Sequence, residues 1–307
     1  MRKVRIVAAC CAAWCGLFTA GSAVAGDGPD ASALRELAAR VPDLEFPGTA
    51  TTPAEFDSPR MLMYKPEGAG PFPALVLAHQ CGGLNTPHWQ NASMLQWARD
   101  AVARGYVALL IDSLGPRGAS SVCFGPQNNV TFAAGVKDAL QAAEHLRRFD
   151  FVDKGRIALA GYSWGAMVAL LASSRHWGGT LARGGRFAAA AAFYPGCFTI
   201  RPRNAPEYEI ARQDIDTPLL VLMGADDTET PPADCVSRLE PAIKAGAPVQ
   251  LHVYPQATHC WDCRNLDGYS KVDVRGNRVA YRYNREVTED SARRLFEFLE
   301  RAMPRPR

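Results

Sequence analysis

The sequence predicts an α/β fold: a mostly parallel sheet of about eight strands, with helices on both faces and no large cap domain. Three observations lead there. Short apolar runs alternate with longer helical stretches, the arrangement of a sheet covered on both sides. One apolar run ends in the pentapeptide Gly161-Tyr162-Ser163-Trp164-Gly165, which opens straight into a helical stretch. No composition break, internal repeat or long linker divides the chain. At 307 residues, 48% hydrophobic and 21% charged, it is long enough to bury a substantial core.

The first 25 residues are a separate problem. Arg2, Lys3 and Arg5 precede an apolar stretch over 6–18, and Ala23-Val24-Ala25 supplies an A-x-A end. This reads as a secretory signal cleaved after Ala25, which makes the mature protein secreted or periplasmic. The apolar core is shorter than the roughly 20 residues a spanning helix needs, which argues against an uncleaved anchor. No membrane association is therefore expected after cleavage. The whole chain holds 34 Lys and Arg against 31 Asp and Glu, so losing three cations and no acid leaves the two signs balanced. The apparent basicity belongs to the signal, and nucleic acid is not an expected partner. Nine cysteines become six once Cys10, Cys11 and Cys15 are gone, an even number suited to an oxidising compartment.

Residues 26–57 read as an N-terminal extension, with a short helix over 32–40 followed by Pro- and Thr-rich connection. Residues 58–307 read as one catalytic domain. Its strands are expected at 60–64, 74–79, 106–112, 156–160, 188–194, 218–224 and 249–254. Its helices are expected at 89–104, 130–149, 166–173, 233–245 and 289–302. The connection over 195–217 is too short for a lid domain. The segment 272–284 (VDVRGNRVAYRYN) reads as a β-hairpin turning at Gly276-Asn277, inserted before the last helix.

In such sheets the reactive groups gather at the carboxyl ends of the strands. A G-x-S-x-G turn from strand to helix holds its serine in strained backbone and exposes the hydroxyl, with small neighbours where side chains have no room. Ser163 then needs a base and the base needs an orienting acid, in the chain order Ser, Asp, His. "GADDTETPP" puts Asp226 and Asp227 just past a strand, and Asp227 has the favoured spacing to Pro231. "YPQATHCWD" puts His259 five residues past the next strand. Of the other histidines, His145 and His176 fall on or after helices, His252 inside a strand and His88 at a helix start, so all four read as packed or solvated. The oxyanion donors are expected to be the backbone N–H groups of Trp164 and of Cys81 in "AHQCGG", with His79 bracing that loop. Asp112 ends a strand ahead of the serine and reads as structural.

In order along the chain, "HQCGG", "IDSLGPRG", "GYSWG", "GADDTETP" and "ATHCWD" resemble the dienelactone hydrolase family of α/β-hydrolases, over roughly residues 60–302. The resemblance implies the α/β-hydrolase fold and acyl transfer on an ester or lactone, with Ser163 as nucleophile, His259 as base and Asp227 as its orienter. That chemistry calls for no metal or organic cofactor. The founding enzymes carry a cysteine nucleophile tuned by an acidic residue, whereas this chain has Ser163 and the neutral Gln80. The family also implies a substrate carboxylate met by an arginine in the loop holding Arg117; the residues equally allow a structural Arg117 that pairs Asp112 or caps loop carbonyls. Two rivals share parts of this reading: a secreted serine peptidase of the prolyl oligopeptidase kind, and a non-catalytic binding protein on a hydrolase scaffold. His259, Cys260 and Cys263 are close enough to suggest zinc but lack a clear fourth ligand. The positions of the six cysteines suggest pairing of Cys81 with Cys123 and of Cys197 with Cys235. Cys260 and Cys263 remain as a local pair or as free thiols.

Overall fold

The computed structural model describes residues 28–51, 58–86, 89–203, 205–273 and 276–305. The signal expected over 1–25 and His88 lie outside them. The main sheet has strands β1 (Ala50–Thr51), β2 (Met63–Tyr64), β3 (Phe72–Ala78), β4 (Val107–Ile111), β5 (Val152–Tyr162), β6 (Ala189–Phe193), β7 (Leu219–Gly224) and β8 (Val249–Tyr254). Their order across the sheet is β1-β2-β4-β3-β5-β6-β7-β8. β2 runs antiparallel to β4, and every pairing from β4 to β8 is parallel. All of β4, β6 and β7 is buried. A strand covered on both faces gains by being apolar at every position, which is why these segments read as unbroken hydrophobic runs.

Helices α1 (Ala31–Ala39), α2 (Ala92–Ala103), α3 (Phe132–Leu146), α4 (Trp164–Ser173), α5 (Arg175–Leu181), α6 (Pro232–Lys244) and α7 (Arg285–Ala302) cover the sheet. One core cluster gathers α1, α3 and α4 on one face, and another gathers α2 and α7 on the other. Every residue of α4 is buried, because it is packed between the sheet and its neighbouring helices. Side-chain caps fix several starts: Asp30, Asn91, Thr131, Ser174 and Asn284 each accept an N–H from the first helical turn.

The departures from expectation have local causes. α2 begins at Ala92 rather than 89, because Asn91 caps it and the residues before it form a short antiparallel bridge. β5 reaches back to Val152 through the polar Asp153-Lys154-Gly155, because Val152 pairs with Phe72 across a register shift. β1 is two residues long and carries no alternating pattern to reveal it. α5 carries Gly178 and Gly179, which hid it as a helix. The hairpin is present as strands Ser270–Val272 and Arg278–Ala280, with Gly276 at φ 83° in the turn.

The segment 28–51 is built into the domain. Leu34, Leu37 and Ala38 of α1 belong to the core, packed on α3 and α5. Basic side chains of the domain then bond to carbonyls along the segment. His176 Nε2 lies 2.8 Å from the Pro29 oxygen and His145 Nε2 2.9 Å from that of Pro47. Lys137 Nζ donates to the Val41 oxygen at 2.8 Å and pairs Asp43 at 2.9 Å. Arg117 Nη2 donates to the Pro42 oxygen at 2.7 Å.

Arg117 therefore requires a correction. Its guanidinium is buried and grips Asp138 with both terminal nitrogens, at 2.6 and 2.7 Å, while also bonding the Ser113 and Pro42 oxygens. It does not pair Asp112, whose carboxylate instead accepts the N–H groups of Leu114 and Gly115. A fork already closed on a buried carboxylate has no face left for a substrate. Arg117 braces the loop after β4 against α3 and the N-terminal segment.

The six cysteines among the described residues are paired as Cys81 with Cys123, Cys197 with Cys235, and Cys260 with Cys263. The first two have Cα atoms 4.8 Å apart and close loops of 42 and 38 residues. Loops of that size correspond to about 4 kcal/mol each of stabilisation against the unfolded chain.

Two outcomes follow. Arg117→Ala should lower unfolding free energy in urea by about 3–5 kcal/mol, because it strands the buried Asp138 carboxylate. Non-reducing peptide mapping should recover Cys81 joined to Cys123 and Cys197 joined to Cys235, and a reductant should lower the melting temperature. Free thiols at these four positions would contradict the pairing.

Candidate active site

Ser163 sits between β5 and α4 with φ 52° and ψ −109°. A side chain in that region costs about 1–3 kcal/mol and persists only where the surroundings enforce it. Here they do. A β-carbon on Gly161 would run into the Gly165 carbonyl, and one on Gly165 would run into the carbonyls of Ala78 and His79. Glycine at both positions lets the turn close, and Gly165 N–H then donates to the His79 oxygen at 3.1 Å. Ser163 N–H donates to the Phe193 oxygen at 2.9 Å, which pins the elbow to β6.

The loops after β7 and β8 bring two more groups to this hydroxyl. His259 Nε2 lies 2.9 Å from Ser163 Oγ, and His259 Nδ1 lies 2.7 Å from Asp227 Oδ2. Asp227 Oδ1 accepts the N–H groups of Glu229 and Thr230 at 2.9 and 2.8 Å. With one carboxylate oxygen held by amides, the other accepts a hydrogen bond from Nδ1–H, so Nε2 is free to accept from the serine. Thr230 Oγ1 bridges the acid and the preceding strand, bonding Asp227 Oδ2 at 2.7 Å and the Tyr194 oxygen at 3.2 Å. Asp226 points elsewhere: it is half-exposed and pairs Arg282 at 2.7 Å. The structure thus brings Ser163, His259 and Asp227 together and leaves Asp226 out.

Trp164 is the first residue of α4, so its N–H has no acceptor inside the helix and stands at the positive end of the helix dipole. Cys81 lies in the loop that leaves β3 beside the elbow, tied down through Cys123 and through its carbonyl, which accepts Val122 N–H at 2.8 Å. His79 is buried under that loop. Its Nδ1 bonds the Gln80 oxygen at 2.6 Å and its Nε2 accepts Ser113 N–H at 3.2 Å, while its ring stacks on Trp164. Burial holds its pKa below the ordinary histidine value, as suits a neutral brace.

Behind His259 is a polar cluster that sequence reasoning did not anticipate. Tyr194 Oη donates to Asp262 Oδ1 at 2.8 Å and Trp97 Nε1 to Asp262 Oδ2 at 2.7 Å. Gln80 Nε2 donates to Tyr194 Oη at 3.1 Å and reaches Cys263 Sγ at 3.7 Å. Cys260, Asp262 and Cys263 lie close together, but the two sulfurs are paired and both oxygens of Asp262 are occupied. The Tyr194 and His259 rings pack edge-to-face, with centroids 4.7 Å apart.

Glu229 was also missed. Its Oε2 lies 4.0 Å from His259 Nε2, its Oε1 is 2.7 Å from Lys271 Nζ, and Tyr281 Oη donates to Oε2 at 2.6 Å. A signal for it existed in "DTET", two residues past the acid, but nothing in the sequence says which way that side chain turns. Burial disfavours the charged imidazole of His259, yet Asp227 and then Glu229 outweigh it, and the pKa lies above the ordinary histidine value. Burial likewise opposes the charge on Glu229, and His259 and Lys271 outweigh it in turn, holding Glu229 below the ordinary range.

Comparison with known proteins agrees with this architecture. The profile of the dienelactone hydrolase family matches residues 60–303. A Yersinia pestis protein named "Putative carboxymethylenebutenolidase" is 23% identical over 231 residues, covering 72% of this chain and 81% of that protein. Among solved structures, the propionate-bound esterase Est2 of Thermogutta terrifontis superposes with a TM-score of 0.58 at 16% identity, covering 82% of this chain and 98% of that one. The same organism's esterase 2 phosphorylated by paraoxon gives a TM-score of 0.57 at 18% identity, covering 80% and 90%. At these identities the structural likeness speaks for the fold. The family profile spans most of the sequence, and the chain belongs to the dienelactone hydrolase family.

Proposed function

We propose that this protein is a serine hydrolase that cleaves an ester or lactone through an acyl-enzyme, with Ser163 as nucleophile, His259 as general base and Asp227 as its orienting acid. The observation that carries the proposal is the unbroken chain from Ser163 Oγ to His259 Nε2 at 2.9 Å and from His259 Nδ1 to Asp227 Oδ2 at 2.7 Å. Such a relay has a definite use. As Ser163 Oγ bonds to the carbonyl carbon, its proton moves to Nε2, and the carbonyl oxygen becomes an anion facing the Trp164 and Cys81 N–H groups. When the tetrahedral species collapses, the proton passes from Nε2 to the departing oxygen. Water repeats the sequence and releases the acid, returning the proton to Ser163.

Membership of the dienelactone hydrolase family and the likeness to esterases support ester cleavage over the peptidase and binding-protein readings. Export is part of the proposal. It is supported by the signal-like start and by the cysteine pairs, and no helix among the described residues is long and apolar enough to cross a membrane.

The mature protein should take up one equivalent of a fluorophosphonate probe, and Ser163→Ala should abolish uptake; labelling that survives would overturn the assignment. Asp227→Asn should lower turnover by about 10⁴-fold, the loss typical when the orienting acid is removed. Asp226→Asn, which breaks an exposed pair, should change turnover by less than about threefold. The pH profile of kcat/KM offers an independent check. His259 must be neutral to accept the proton, and its raised pKa keeps it charged to a higher pH. The acid limb should accordingly lie above about 6.5, the unperturbed histidine value.

A further inference from the structure

The acyl-transfer scheme leaves the buried carboxylate of Asp262 without a part, although it lies only three residues past His259. Both its oxygens are held by donors from other elements. Trp97 Nε1, on α2, donates to Oδ2 at 2.7 Å, and Tyr194 Oη, just past β6, donates to Oδ1 at 2.8 Å. The direction of the second bond is set one step back. An amide nitrogen can only donate, and Gln80 Nε2 gives its two hydrogens to Tyr194 Oη at 3.1 Å and to Ser93 Oγ at 3.3 Å. Asn91 Nδ2 donates to Gln80 Oε1 and to the Gly83 oxygen, and Ser93 Oγ donates to Asn91 Oδ1 at 2.9 Å. The polar hydrogens of these side chains all have acceptors, and Asp262 is the acceptor on which the chain ends.

The members of this network stand on different parts of the site. Gln80 precedes Cys81 in the loop leaving β3, and Asp262 shares the turn that carries His259. Tyr194 follows Phe193, whose oxygen accepts Ser163 N–H. Tyr194 also touches the base and reaches its acid: its ring packs edge-to-face with His259, and its carbonyl accepts Thr230 Oγ1 at 3.2 Å, which in turn bonds Asp227 Oδ2 at 2.7 Å. Resting on the serine-hydrolase reading above, we propose that Asp262 is a positioning residue for acyl transfer: by anchoring Tyr194 it holds His259 and Asp227 in register with Ser163. The imidazole must present Nε2 to two oxygens in succession, taking the proton from Ser163 and delivering it to the departing oxygen. A ring free to rock serves both transfers badly, since a misplacement of about 1 Å costs about 100-fold in rate. Asp262 touches no reacting atom, so its loss should act on turnover and leave substrate binding alone. An Asn at this position offers an NH2 group where a donor needs an acceptor, so one of Trp97 Nε1 and Tyr194 Oη must lose its bond.

The test follows fluorophosphonate labelling of Ser163 in the full mature protein, resolved into a limiting rate constant and a half-saturating concentration. The extent of labelling counts competent sites, so every rate is expressed per site. Tyr194→Phe keeps the ring and removes the hydroxyl; it should lower the limiting rate about tenfold, and Asp262→Asn should lower it about 100-fold. The half-saturating concentration should stay within about threefold of wild type in both. The double variant should fall no further than Asp262→Asn alone, because the two residues act through one bond. A merely structural role would lower the melting temperature and the number of sites but leave the rate per site unchanged, and that result overturns the proposal. Losses that multiply in the double variant, or an effect confined to the half-saturating concentration, overturn it as well. If Asp262→Asn does not fold, the rate per site of Tyr194→Phe decides alone. These failures leave the serine assignment intact. Wild-type protein that takes up no probe, or labelling that survives Ser163→Ala, removes the serine reading and this inference with it.

Discussion

Gly165 lies so close to the end of β3 that any side chain there would enter the carbonyls of Ala78 and His79. From that contact the rest of the site is laid out. It joins the serine turn to the loop carrying Cys81, so Ser163 and the Cys81 backbone keep a fixed relation without touching through side chains. It also leaves Ser163 no relaxed conformation. Two further residues near His259 are held in left-handed backbone, Tyr194 at φ 45° after β6 and Cys260 at φ 57° after His259 itself. Each such residue costs about 1–3 kcal/mol, and the strain is sustained by the buried strands that deliver the chain to these turns. The sheet is rigid so that three loops can be strained.

Charge is distributed with similar economy. Asp227 is neutralised by amides on one oxygen and by the imidazole on the other, Glu229 by Lys271 and Tyr281, and Asp138 by Arg117. Each buried carboxylate has donors of its own, which is the condition for keeping a charge out of water. Gln80 fits the same pattern. Where the founding enzymes of the family carry an acid to tune a thiol, this chain has a neutral amide that bonds Tyr194 and reaches Cys263.

Much of this was legible beforehand, and the reason differs by element. The buried strands and the Ser163 elbow were readable because burial on both faces and a steric turn impose composition directly. Asp227 and His259 followed from chain order and from their distance past a strand. Arg117 was legible as a residue of importance but not of which kind: its partner Asp138 lies on α3, and no spacing rule links a loop to a helix face. Glu229, Tyr194 and Asp262 were invisible for a related reason. Their roles depend on which way a side chain turns in a loop, and that is decided by residues such as Lys271 and Trp97, far away in sequence. The short helix α5 and the strand β1 lacked the length over which a period can be read.

The N-terminal segment carries a consequence for the order of assembly. α1 comes first along the chain, yet the surfaces that receive it belong to α3 and α5, and the groups that clamp its flanks are Arg117, Lys137, His145 and His176. None of these exists while α1 is being synthesised. The segment therefore lacks its full docking surface until α5, which ends at Leu181, has followed it. Long-range closure of this kind is slow and leaves apolar surface exposed in the interval. The contacts that fasten the N-terminal segment are therefore among the most distant in sequence that the domain makes.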